Sequence, residues 1–193
     1  MKEYIDFLKD KMAISHQTGF EVKAEELTSS LYPHVKDTVR WAVSGGCRAI
    51  FSSFGMQKTV TQLEICRVII NQYFGKALIV CPKRVVVEFI TQAKEHMNMT
   101  VKYVKNMSEV RACKCDIMIT NYERVRDGED GVRIEPSYFT VTSLDEASVL
   151  RGYGTKTYQE FLPLFSGVPY RFVATATPSP VSYTHLTLPT ILR

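Results

Sequence analysis

The chain has 193 residues and a formal net charge of +4; 45% of the residues are hydrophobic and 23% are charged. That length and apolar content suffice for one α/β domain with a buried core and a short extension. There is no run of roughly 18 apolar residues to span a membrane. The start, Met1-Lys2-Glu3-Tyr4-Ile5-Asp6, lacks the apolar segment of a secretory signal, so a cytoplasmic, non-membrane protein is expected.

Five cysteines, an odd number at scattered positions, fit reduced thiols. Cys113-Lys114-Cys115 is the one close pair, and no further ligands at zinc spacing accompany it. The charge is uneven. From Lys76 to Lys114, eight basic residues face three acidic ones, a net of +5. Such an excess suits a polyanion, although a solvated helix face reads the same way.

In chain order, Tyr4, Ile5, Leu8 and Met12 have helical spacing and predict a short amphipathic helix over 2–12. Residues 13–31 carry no clear pattern. Pro33 opens a helix with an apolar face at Val35, Val39, Trp41 and Val43, closed by Gly45-Gly46. A buried strand is predicted over Cys47–Phe51, then a small-residue turn, then a helix from about Lys58 to Phe74 with Gly75 as its cap. Ala77–Cys81 reads as a fully buried strand, and Pro82 opens a helix through about His96. Strands follow at Val101–Val104 and Asp116–Thr120, and a turn of helix at Asn121–Val125. After a polar turn at 127–131 come a strand over Phe139–Leu144, a helix over about Thr155–Phe165 and a last strand over Tyr170–Thr175. Apolar strands alternating with helices predict a mainly parallel sheet covered on both faces, with ligands at the carboxyl ends of the strands.

Two clusters at those strand ends carry chemistry. In Ser53-Phe54-Gly55-Met56-Gln57-Lys58-Thr59 a strand runs into a small-residue loop and then a helix, the order needed to wrap phosphates in backbone N–H groups at a helix N-terminus. Lys58 is placed to reach the terminal phosphates and Thr59 to hold Mg²⁺. In Leu144-Asp145-Glu146-Ala147-Ser148 an acid directly after a strand can hold the same ion, and its neighbour can orient an attacking water. Lys83 and Arg84 sit beyond another strand at a helix N-terminus, where a nucleic-acid phosphate would be favoured. Tyr122 reads either as a stacking platform for a base or as a packed aromatic. Thr175 and Thr177 read either as bridging hydroxyls or as strand-end caps.

Together these motifs resemble the first RecA-like domain of a superfamily 2 helicase. The likeness is to the Swi/Snf-type, DEAD/DEAH-like ATPases of phages and prophages, which accompany DNA-modifying enzymes. It covers about Leu31 to Pro180. Ser53–Thr59 is similar to the ATP loop, Leu78–Val86 to a backbone-contacting segment, and Thr120-Asn121-Tyr122-Glu123-Arg124 to a nucleic-acid-facing motif. Leu144–Ser148 is similar to the Asp-Glu box, and Thr175-Ala176-Thr177-Pro178 to the motif that couples hydrolysis to movement.

The resemblance implies a RecA-like P-loop domain over 31–180, preceded by a helical extension over 1–30. ATP and Mg²⁺ would be the cofactors. ATP would lie on Ser53, Gly55, Met56, Gln57, Lys58 and Thr59, with Thr59 and Asp145 on the metal. Catalysis would fall to Glu146 and Lys58, DNA contact to Lys83, Arg84, Asn121, Tyr122 and Arg124, and coupling to Thr175 and Thr177. The host would be a bacterial or phage-infected cell.

The chain departs from the pattern in three places. Gln57 stands where a Gly usually precedes the Lys. If its backbone is helical the cost is small; if φ is positive the cost is on the order of 1 kcal/mol. Val35 stands where family members carry an adenine-reading Gln. Finally, the second RecA-like domain is missing from this chain, and the last thirteen residues read unlike the rest. Val181–Thr190 resembles the translation of a transposase adapter used in sequencing libraries, so 181–193 is expected to be an artefact and the natural protein to continue. A nucleic-acid-binding module with a decayed nucleotide site is the alternative function.

Overall fold

A computed structural model describes residues 17–128, 131–147, 159, 161 and 163–177. The helix expected over 2–12 and the tail at 181–193 lie outside these residues. So does most of the helix expected over 155–165, whose described positions Gln159, Phe161, Pro163 and Leu164 are helical. Among the described residues no helix is long and apolar enough to cross a membrane.

Six strands form one sheet: β1 (Cys47–Phe51), β2 (Ala77–Cys81), β3 (Val101–Tyr103), β4 (Ile117–Asn121), β5 (Val141–Asp145) and β6 (Tyr170–Thr175). Their spatial order is β1-β6-β5-β2-β4-β3, and every pairing is parallel. The fold is therefore the parallel α/β sheet that the alternation predicted, as the RecA-like resemblance also implied. All carboxyl ends share one edge, and the register sets Phe51 beside Thr175, Asp145 beside Ala174 and Cys81 beside Asn121.

Strand pleating divides the core in two, because successive side chains point to opposite faces. Ile79 and Cys81 of β2 join one cluster with Ile117, Ile119 and Phe172, while Leu78 and Val80 join Met118, Leu144 and Val173 on the other face. The first face is covered by α1 (Pro33–Gly45), α2 (Lys58–Tyr73) and α3 (Val86–Met97). The second is covered by α4 (Met107–Ala112), α5 (Tyr122–Arg126) and the rings of Phe139, Phe161 and Phe165.

Helix α1 begins at Pro33, whose missing N–H costs nothing at that position. It buries Val35, Val39, Ala42 and Val43 and ends where Gly46 takes φ 73°, its N–H donating to the carbonyls of Ala42 and Val43. Val35 is thus core, wholly inside the helix–sheet packing. Helix α2 is buried on almost all sides from Val60 to Ile70. Each large aliphatic side chain so buried contributes about 1.5–3 kcal/mol, so α2 is held firmly behind the loop that precedes it.

Several elements differ from expectation, and α2 is capped by Phe74 at φ 52°, not by Gly75. The helix opened by Pro82 first makes a 3-10 turn at Lys83–Val85 and becomes α-helical only at Val86. Helix α4 falls where no element was expected, and it starts at Asn106, whose side chain accepts the N–H of Glu109 at 3.0 Å.

Candidate active site

The carboxyl edge of the sheet opens into a cleft of about 420 Å³. Gly55, Gln57, Lys58 and Thr59 line it on one side, Asp145 and Glu146 at the sheet edge, and Arg84, Glu88, Gln92 and His96 along the far wall. The loop after β1 is tied to β6 by the Ser52 N–H, which donates to the Thr175 carbonyl at 3.4 Å. Gly55 has φ 81°, a conformation glycine adopts freely, and no atom lies within 4 Å of where a Cβ would stand. Lys58 folds back onto its own loop, its Nζ donating to the carbonyls of Ser52 and Ser53 at 3.0 Å each. It also sits 5.2 Å from the ring centre of Phe54, a side chain 80% exposed. Met56 is exposed, and Ser53 is exposed but gives its carbonyl to the Lys58 ammonium.

Gln57 resolves the question left open by its identity. It is left-handed, φ 55° and ψ 40°, at the N-cap of α2. For a residue with a Cβ that conformation costs roughly 1–2 kcal/mol. Its side chain makes no capping bond, and its buried Oε1 has no hydrogen-bond partner among the described residues.

Thr59 Oγ1 donates to Glu88 Oε1 at 3.4 Å, across the cleft mouth. Asp145 Oδ1 accepts from Gln62 Nε2 at 2.8 Å, and the Gln62 Oε1 accepts from Ser143 Oγ at 2.7 Å. Burial pushes the Asp145 carboxyl above the usual carboxylate range, opposed by the Gln62 bond and reinforced by the neighbouring Glu146 charge. Glu146 has φ 50°, a strained conformation of the kind that collects at functional sites. Its Oε1 accepts from Thr175 Oγ1 and Thr177 Oγ1, each at 3.4 Å, while the Thr177 N–H donates to Thr175 Oγ1 at 3.1 Å. Thr175 and Thr177 thus meet the acid box directly.

The expected nucleic-acid residues are dispersed. Lys83 is exposed, and Arg84 lines the cleft itself. Asn121 is buried, its Oδ1 accepting from Tyr103 OH at 2.9 Å and its Nδ2 donating to Glu123 Oε2. Tyr122 is 9% exposed, its ring tilted 39° against Phe161 with centroids 5.4 Å apart, and its hydroxyl donates to the Asp145 carbonyl at 2.6 Å. Its ring is packed and offers no open face to a base. Arg124 is half-buried on α5.

Sequence reasoning missed Gln62, Glu88, Gln92 and His96. The last three recur every fourth residue with Arg84, a one-face helical spacing, yet nothing in the sequence says that this face meets the loop. Gln62 lies one turn past Thr59 on α2, and its link to β5 is purely tertiary.

A model of the SNF2-related domain matches residues 34–192. Among solved structures, the UvsW helicase of bacteriophage T4 is similar with TM-score 0.72 and 12% identity, over 100% of this chain and 75% of that one. The Sulfolobus solfataricus SWI2/SNF2 ATPase core in complex with dsDNA is similar with TM-score 0.68 and 16% identity, over 90% of this chain and 37% of that one. A second T4 UvsW structure, TM-score 0.72 at 12% identity, covers 98% of this chain, which spans 42% of it. No curated protein matches the chain.

Proposed function

Since the chain belongs to the SNF2-related domain family and carries a helicase-type motor domain, we propose that it binds ATP with Mg²⁺ in this cleft. In the intact protein, hydrolysis there would drive a DNA helicase or translocase. The observation that supports this is the meeting of Lys58, Thr59, Asp145 and Glu146, from two distant stretches of sequence, around one cleft.

The residues suit the ligand. The open space at Gly55 lets backbone approach a phosphate, α2 turns its N-terminus to it, and Thr59 with Asp145 supplies the oxygen donors that Mg²⁺ prefers. When bound, the ion neutralises phosphate charge. Lys58 exchanges the carbonyls of Ser52 and Ser53 for phosphate oxygens. Glu146, held by Thr175 and Thr177, takes the proton of the attacking water. Lys83, Arg84 and Arg124 supply charge toward a DNA backbone. A second RecA-like domain and a DNA-modifying enzyme are the proposed partners, and a cytoplasmic setting is the proposed location.

The experiment is DNA-stimulated ATPase activity in a version extended to include a second motor domain. Lys58→Ala and Glu146→Gln are expected to abolish it, with Glu146→Gln retaining nucleotide binding. Unchanged hydrolysis in both variants would falsify the reading. A second reading, a nucleic-acid-binding module with a decayed nucleotide site, draws support from the strained backbone and orphaned Oε1 of Gln57. Calorimetric titration with ATP–Mg²⁺ separates the two, because tight binding rules out decay.

A further inference from the structure

Gln62 is fully buried, a costly place for a carboxamide unless every polar atom is paired. Both ends are paired. Nε2 donates to Asp145 Oδ1 at 2.8 Å, and Oε1 accepts from Ser143 Oγ at 2.7 Å. Ser143 and Asp145 stand two apart on β5 and so project from one face of the strand. One side chain from α2 therefore grips both. The amide cannot be reversed, because its oxygen would then face a carboxylate that only accepts. With Oδ1 committed to Gln62, Oδ2 is the oxygen left for a cation.

We propose that Gln62 is a positioning residue of the magnesium site, locking the Asp145 carboxylate to the helix that begins with Lys58 and Thr59. This rests on the nucleotide reading above. Gln62 touches neither phosphate nor metal; it acts through Asp145. Its carbonyl arm to Ser143 removes the rotational freedom that a lone Gln–Asp bond would leave. Thr59 stands one turn before Gln62 on α2, so the buried amide ties the Asp145 carboxylate to the helix that carries Thr59. Outer-shell partners of this kind, when removed, typically weaken metal affinity about 10–100-fold.

The test uses the full chain with Mn²⁺ as the probe, titrated by electron paramagnetic resonance in the presence of ATP. A parallel measurement follows binding of a fluorescent ATP analogue in EDTA. Gln62→Leu is expected to weaken Mn²⁺ binding about 10–100-fold while metal-free nucleotide binding stays within about twofold of wild type. Ser143→Ala keeps the Asp145 bond and frees only the far arm, so a smaller loss is expected. It carries the test by itself if Gln62→Leu fails to fold. In an Asp145→Asn background, Gln62→Leu should have no further effect on Mn²⁺. Additive losses there, or Mn²⁺ affinity in a folded Gln62→Leu within twofold of wild type, overturn the proposal and leave the nucleotide reading standing. Nucleotide binding in EDTA that Lys58→Ala leaves untouched overturns that reading and this proposal with it.

Discussion

The hydroxyl of Tyr122 donates to the backbone carbonyl of Asp145 at 2.6 Å. The first residue of α5 is thereby fastened to the last residue of β5, beneath the acid box. Burial raises the Tyr122 hydroxyl well above the ordinary tyrosine range, so it remains a donor at any physiological pH. Removing it strands a buried acceptor, a loss of about 1–3 kcal/mol. Tyr122→Phe is therefore expected to lower the melting temperature by several degrees. DNA affinity, followed by fluorescence anisotropy, should not change, because the ring is packed on Phe161. A variant that loses DNA binding with unchanged stability would restore the stacking role.

Gln57 strains the loop twice, through its positive φ and through its unpartnered Oε1. Gln57→Gly relieves both, against an entropic cost in the unfolded chain of roughly 0.5–1 kcal/mol. The net expectation is a gain on the order of 1 kcal/mol, read as a rise of about 2–4 °C in melting temperature. Gln57→Ala keeps the left-handed strain and should gain less. If the glycine variant melts lower than wild type, the buried Oε1 has a compensating role on the folded side.

The sheet was legible mainly through its central strands, which are buried on both faces. Ala77–Cys81 and Ile117–Asn121 are buried at every position, and in sequence Ala77–Cys81 and Ile117–Ile119 are continuous apolar runs. The Lys58-Thr59 pair and the paired acids were legible because each lies at the carboxyl end of a strand, the first after a small-residue turn and the second directly after β5. Tyr122 was ambiguous because an aromatic residue at a strand end reads alike whether it packs or stacks, and only Phe161, far along the chain, decides. Gln62 was illegible for the same reason: within α2 it is one more residue of a helix buried nearly all round. Helix α4 hid behind its length, six residues with two buried side chains, too short for a period to declare itself. Its Asn106 cap with Glu109 three residues on was the available signal.

Glu64 on α2 is fully shielded from solvent and paired with Arg67. Its carboxylate accepts from Arg67 Nη2 and Nε at 2.7 and 2.8 Å, and from the N–H and hydroxyl of Thr28 at 2.7 and 3.0 Å. Arg67 also donates to the Glu26 carbonyl at 2.7 Å, so the pair clasps the segment ahead of α1 to α2. Removing one partner of a buried pair costs about 3–5 kcal/mol. Glu64→Ala should cost about that much in urea denaturation at pH 7. Arg67→Met should cost the same or more, since it leaves the buried carboxylate with only its Thr28 hydrogen bonds and no counter-charge. A loss under about 1 kcal/mol for Glu64→Ala would mean that the pair contributes no more than a surface one.

Asp145 sits in the proposed site at a cost in stability. Its folded-state carboxyl is raised above its unfolded value, chiefly by burial. For an acid shifted upward the sign is fixed by linkage: folding favours the protonated form. The favourable contribution is complete below the unfolded carboxyl range and disappears as pH rises through the folded value. At neutral pH the ionised Asp145 therefore costs stability. Asp145→Asn removes that charge and keeps an oxygen to accept from Gln62 Nε2. It is expected to stabilise the chain by about 0.5–2 kcal/mol at pH 7, the range common for relieving a strained functional position. The gain should shrink toward zero as the pH falls through the carboxylate range, where wild-type Asp145 is neutral too. Melting curves of both proteins from acid to neutral pH measure this convergence. A constant offset between them would place the cause in packing and not in the charge.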